Sequence, residues 1–272
     1  MPATTDPRAY FTPGEGGAFL PTRLALSYWG EDHLTGPALV GLAAMVLERD
    51  GGVDGFQPAR LTVDLFRAAR SRPTTVRSRL VRDGRRVRSA ECEVVQDDRV
   101  VARAGLLWFR RSAPPPGELW RARTHFDAPP VDDGGTVRIG SDDAGWSRDS
   151  ADHQNASRKR FFTNPLQVVA GRPNSPLTRA VIAAEATSLV TNLGTRGIGY
   201  INGDLTVGLS RLPVDEWVGV QADSHHAADG VAVGSATLFD SAGPFGTGLV
   251  TAVANPAAQI DFTAPRFGPR RT

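Results

Sequence analysis

Two seven-residue stretches decide the reading of this chain: LTVDLFR at residues 61–67 and LTVGLSR at 205–211. They agree at Leu, Thr, Val, Leu and Arg, 144 positions apart. Keeping that offset without a gap lays VRSAECEVVQDD (87–98) on VAVGSATLFDSA (231–242), so Val87, Cys92, Val94 and Val95 meet Val231, Ala236, Leu238 and Phe239. One matching heptapeptide can be chance. A second segment at the same offset points to duplication.

The surroundings of the two stretches repeat as well. Before the first, Gly36-Pro37 opens the apolar run ALVGLAAMVLER (38–49), of helical length with Pro at its start. Before the second, Ser175-Pro176 opens LTRAVIAAEATSLVTN (177–192), with Ser as N-cap and Gly194 beyond the end. After each helix come four strand-like stretches. In the first half they are 60–69, 74–84, 85–98 and 99–111, broken by RSRP, DGRR and QDDR. In the second half they are 203–212, 216–224, 230–240 and 245–255, broken by LPVD, HHAADG and SAGP. Residues 18–29 and 161–171 read as extended. Between the halves, 113–135 hold five prolines and little periodicity, the composition of a surface linker. The expected organisation is therefore 1–112, a linker at 113–135, and 136–272.

A long apolar helix followed by a sheet suggests an α+β unit in which an antiparallel sheet wraps a central helix, its outer face free to pack on a second copy. Two fused copies would bury both helices and close much of the exposed edge. This is the double hotdog architecture.

Composition narrows the function. Of 272 residues, 40% are hydrophobic and 22% charged, enough for a real core. The 31 basic residues, all Arg except Lys159, stand against 29 acidic ones, and they are scattered rather than gathered in a stripe, which argues against nucleic acid. No apolar run is long enough to span a bilayer and the N-terminus lacks a signal-like stretch, so a cytoplasmic location and no membrane span are expected. Cys92 alone excludes an internal disulfide framework. No Gly-x-Ser-x-Gly elbow, phosphate loop or dinucleotide fingerprint occurs, and no cofactor is implied. His225-His226 reads as a solvated turn, since neighbours on a strand point to opposite faces and cannot readily chelate one metal ion.

The segment IGYINGDLTVGLSRLPVDEWVGVQADS (198–224) resembles the C-terminal hotdog of the bacterial acyl-CoA thioesterase II family, and GEDHLTGPALVGLAAMVLER (30–49) resembles the approach loop and helix of its N-terminal hotdog. The resemblance implies hydrolysis of medium, long or branched acyl-CoA by a water held between an Asp, a Thr or Ser, and a Gln. It also implies an acyl-CoA partner, and we expect a homo-oligomer. The Asp falls on Asp204, whose counterpart at the 144 offset is Arg60. The hydroxyl falls nearest Ser224. The Gln falls near Val250, and no Gln lies in that strand, which keeps open the alternative of a non-catalytic acyl-CoA-binding protein. Glu185, on the helix stripe that should face the sheet, is a second candidate acid, because a buried carboxylate is costly unless paired or protonated. Arg211 and Arg179 are candidate phosphate contacts, with structural ion pairing as the ordinary role. Asn192 reads as a helix cap. Hydratase chemistry is set aside because FTNPLQ (162–167) lacks the Asp and His which that branch needs.

Overall fold

The computed structural model describes residues 8–131 and 135–264. Strands β1 (Ala9–Pro13) and β2 (Phe19–Pro21) form a hairpin ahead of helix α1 (Gly36–Gly51). Pro37 lies in the first turn of α1, where its missing N–H costs nothing. Leu39, Val40, Leu42, Ala43, Ala44, Val46 and Leu47 are all buried, so the helix is covered on every side. Strands β3 (Phe56–Leu65), β4 (Thr75–Asp83), β5 (Val87–Gln96) and β6 (Arg99–Arg110) curl around it.

The second half runs β7 (Val137–Ser141), β8 (Lys159–Thr163), β9 (Gln167–Val169), α2 (Pro176–Ala184) and α3 (Thr187–Asn192). It continues with the small hairpin β10 (Leu193–Gly194) and β11 (Gly197–Ile198), then β12 (Tyr200–Asn202), β13 (Asp204–Leu209), β14 (Val218–Ala228), β15 (Val231–Asp240) and β16 (Gly243–Ala254). The duplication is exact in register at the sheet's centre: shifting the bounds of β5 and β6 by 144 gives those of β15 and β16. The two heptapeptides lie against each other. β3 pairs antiparallel with β13, and Thr62 faces Thr206, so the local two-fold passes through this pair.

That pairing corrects one expectation. The halves are joined edge to edge through β3 and β13 into one eleven-stranded sheet rather than through outer faces. Both helices then share one concave side, where Gly41 of α1 lets Ile182 of α2 come close: a Cβ there would lie 2.9 Å from it. Joining at the edge satisfies the N–H and C=O groups that two separate sheets would leave open. β1 also crosses to the second half, pairing parallel with β9. Residues 113–131 carry no helix or strand.

Three further local expectations change. The second helix is broken at Glu185 and Ala186 into α2 and α3. Ser175 caps α2 as read, accepting from the Thr178 N–H, but the far end passes directly into extended Leu193 with no left-handed Gly194. His225 and His226 lie within β14, and the turn is only Asp229-Gly230, both at positive φ. The stretch 142–158, which the sequence leaves open, is braced from inside: buried His153 bonds Ser141 and Ser147, and buried Lys159 donates to the carbonyls of Asn155 and Ser157.

Candidate active site

The break between α2 and α3 is where the chemistry gathers. At Glu185 the backbone N–H still donates to Val181, but the next N–H, of Ala186, donates only three residues back to Ala183. The tighter turn aims the Glu185 carboxyl across to the other half. There it lies against the N-terminus of α1: a Cβ placed on Gly36 would be 2.0 Å from its Oε1. Asn202 of β12 sits beside the same carboxyl and favours its ionised form, and Asn202 Nδ2 is buried with no other partner. Burial outweighs that contact and pushes the Glu185 carboxyl up to about 8. Tyr10 of β1 completes the cluster; its hydroxyl is pushed well up by burial first and by the Glu185 charge second. Glu185 was legible as a polar interruption of an apolar stripe. Gly36 and Tyr10 were not singled out, because only the docking of the halves brings them to it, nor was Asn202, which reaches it through packing of β12 within the second half.

Gly36 supplies a direct check. Any side chain at this position must push the carboxyl aside. Gly36→Ala is expected to lower kcat/KM at least tenfold while far-ultraviolet circular dichroism stays unchanged, because the backbone there is helical and tolerates Ala.

The resemblance-based residues are placed differently. Asp204 opens β13 on the face opposite buried Leu205, Val207 and Leu209. Its Oδ1 accepts from the Thr251 N–H at 2.5 Å, filling the ladder where Gly203 interrupts the pairing of β12 and β13 with β16. Ser224 bonds Ser235 at 2.8 Å. The register runs from Ser224 through Ser235 and Leu249 to Thr206, three strand spacings or roughly 14 Å along the sheet. Asp204 and Ser224 are therefore not brought together around one water. Val250 is fully buried in the core, and Thr251 lies on the other face and gives its N–H to Asp204, so neither stands in for the Gln.

Arg211 forks onto Asp240 at 2.5 and 2.7 Å and caps the Gly243 carbonyl. This is the structural ion pair expected as the ordinary role of Arg211. Burial raises the Asp240 pKa, but the Arg211 bond and the Val214 and Ala242 N–H groups outweigh it and hold the carboxyl below its usual range. The pair's stability is thus present above the unfolded carboxyl value and lost as pH falls through the lower folded one. Asp240→Ala leaves Arg211 unpaired, and urea melts at pH 7 should show a loss of about 2–4 kcal/mol. Arg179 donates to the Asn174 carbonyl at 2.9 Å beside the start of α2.

Asn192 is not a cap. It is 7% exposed, and both amide atoms are without a partner. It is among the residues lining a cavity of about 630 Å³ in the second half, bounded by the end of α3, Tyr200, Ser224, His225 and the 155–158 loop. The His225 ring meets Tyr200 edge-on at 5.9 Å. Asp204 does not line this cavity. Among the described residues no three metal-ligating side chains cluster, and no helix is long and apolar enough to cross a membrane.

Comparison with known proteins decides the family. The sequence model of the acyl-CoA thioesterase N-terminal domain matches residues 26–110, and that of the C-terminal domain matches 108–252. The chain belongs to the acyl-CoA thioesterase family. As a member of that family it is a thioester hydrolase acting on acyl-CoA. Solved structures agree on the fold. A tesB protein from Mycobacterium avium subsp. paratuberculosis is similar at 17% identity and a TM-score of 0.62, covering 88% of this chain and 93% of that one. The acyl-CoA thioesterase II TesB2 of Mycobacterium marinum gives 18% and 0.58, covering 80% and 90%. A hot dog fold protein of unknown function from Alicyclobacillus acidocaldarius gives 17% and 0.63, covering 92% and 97%. No curated protein matches the chain.

Proposed function

We propose that this thioesterase hydrolyses medium, long or branched acyl-CoA to free acid and CoA by a water that Glu185 activates. The observation that carries the assignment is the carboxyl itself: half-buried between the halves, shifted to about 8, and turned to a helix N-terminus. A base with that pKa is well matched to proton abstraction near neutral pH. The ionised carboxylate takes a proton from water as the water attacks the thioester carbonyl. Asn202 orients the carboxylate, and the first turn of α1, whose cap residue Thr35 makes no side-chain capping bond, offers the Gly36 N–H and a positive dipole end to the developing oxyanion. The C–S bond then breaks, the thiolate leaves, and the proton held on Glu185 goes to it. No covalent intermediate is needed.

The test is thiol release from a chain-length panel with two variants compared. Asp204→Asn keeps an acceptor for the Thr251 N–H and should retain most activity, whereas Glu185→Gln should not. Loss in Asp204→Asn alone would transfer the base role to Asp204. Acyl-CoA binding with no release across the panel would favour the binding-protein alternative that the absent Gln leaves open.

A further inference from the structure

The cavity beside Asn192 is built differently from the matching end of the first half, and the duplication shows how. In equivalent register, Trp108 between Arg88 and Pro58 corresponds to Ala252 between Ala232 and Asn202. In the first half Trp108 presses on Gly51, Arg88 donates to the Gly51 carbonyl, and Arg110 lies over Phe56, so the end of α1 is plugged. In the second half three alanines, Ala252, Ala232 and Ala254, stand in those places; Ala252 and Ala232 are buried, and Ala254 lines the cavity. Beside them the end of α3 stays open.

We propose that this cavity receives the pantetheine arm of the acyl-CoA, with Asn192 pairing an amide of the arm and Arg196 meeting the nucleotide phosphates at the mouth. The assignment rests on the thioesterase reading above and names the substrate part that this cavity takes. Asn192 presents one unpaired donor and one unpaired acceptor, both buried. A secondary amide offers the complementary acceptor and donor, whereas an alkyl chain would leave both atoms of Asn192 unsatisfied. The reach also fits. Asn192 is seven residues from Glu185, about 10 Å along the helix, and Tyr200 on the cavity wall is two strand residues, about 7 Å, from Asn202 at the Glu185 carboxyl. An arm bound here delivers its thioester toward Glu185. Arg196 is exposed at the mouth and acts on the Asp261 carboxylate only through space, with no ion pair within 4.0 Å among the described residues, whereas Arg158 on the facing wall is paired with Asp142 at 3.3 Å.

Three thioesters of one acyl group separate the contacts: the acyl-CoA, the acyl-pantetheine and the thioester of a small simple thiol. Arg196→Ala should raise KM for acyl-CoA about 5- to 10-fold and leave the other two unchanged. Asn192→Leu should lower kcat/KM about 10-fold for acyl-CoA and acyl-pantetheine but not for the small thioester. Ala254→Trp, at a half-buried wall position, should act like Asn192→Leu without loss of Tm. Calorimetry with desulfo-CoA reads the same cavity without catalysis: the wild type should bind it and Arg196→Ala should bind it about 10-fold more weakly. Variants that affect all three substrates alike, or none, overturn the assignment while leaving the thioesterase intact. A wild type that binds desulfo-CoA but hydrolyses no acyl-CoA overturns the proposed chemistry and leaves the cavity assignment standing. A wild type that does not bind desulfo-CoA at millimolar concentration overturns the cavity.

Discussion

Glu185→Gln should cost this thioesterase about 10²- to 10⁴-fold in kcat while making the protein more stable at alkaline pH. The two effects have one cause. The wild-type carboxyl is shifted to about 8 because burial penalises its charge more than Asn202 relieves it. A base must be ionised to work, so at pH 7 only about a tenth of the molecules are competent, and the rate should rise with pH until it levels above 8. The stability sign runs the other way. Below the unfolded carboxyl value both states hold the proton. As pH rises from there, the unfolded chain ionises freely while the fold keeps its proton, so stability is lost progressively until pH passes about 8. The integrated loss is roughly 3–5 kcal/mol. Gln is neutral and nearly isosteric, so the variant should show a flat stability profile over that range and a Tm at pH 9 higher by roughly 5–10 °C. A variant as slow as expected but with the wild type's pH-dependent stability would show that the buried charge is not at Glu185. A fast variant would remove Glu185 from the chemistry.

Such an opposition between activity and stability is what a polar group on an apolar stripe announces, and here the sequence carried it. The repeat was legible for a similar reason: inner-face side chains of β3, β5, β13 and β15 alternate under burial, and burial restricts what can replace them. What escaped was long-range. How two hotdogs join depends on which edge is left unpaired after local folding, and nothing in LTVDLFR says that its partner is its own duplicate. Tyr10 and Gly36 are unremarkable in sequence and become partners of Glu185 only after β1 crosses to β9 and α1 packs on α2. Asp204 shows the converse. A short motif placed a carboxylate beside Gly203, and the structure uses its oxygen to accept the Thr251 N–H at a broken ladder, a requirement that motif spacing does not distinguish from catalysis.

Trp108→Ala should be the most destabilising single truncation in the first half, by about 3–5 kcal/mol, and should lower Tm by roughly 10 °C. Trp108 is 1% exposed and fills the space beneath Gly51, where a Cβ would meet its ring at 2.6 Å. Removing an indole from a site walled by helix and sheet leaves a cavity that the strands on either side, fixed by their ladders to β3 and β5, cannot close. Its Nε1 is buried without a partner, so the loss is of packing and not of a hydrogen bond. The corresponding position of the second half holds Ala252, which is buried at 5% exposure and paired on both sides with Ala232 and Asn202. The variant should therefore lose stability without gaining a second productive site, since the carboxylate of Glu185 has no counterpart there: the position 144 residues earlier is Gly41, at the contact between the helices. Urea melts together with kcat/KM at a temperature well below the lowered Tm decide it. An unchanged melt would mean that α1 collapses onto the gap, and a raised kcat/KM would mean that the first half harbours a latent site of its own.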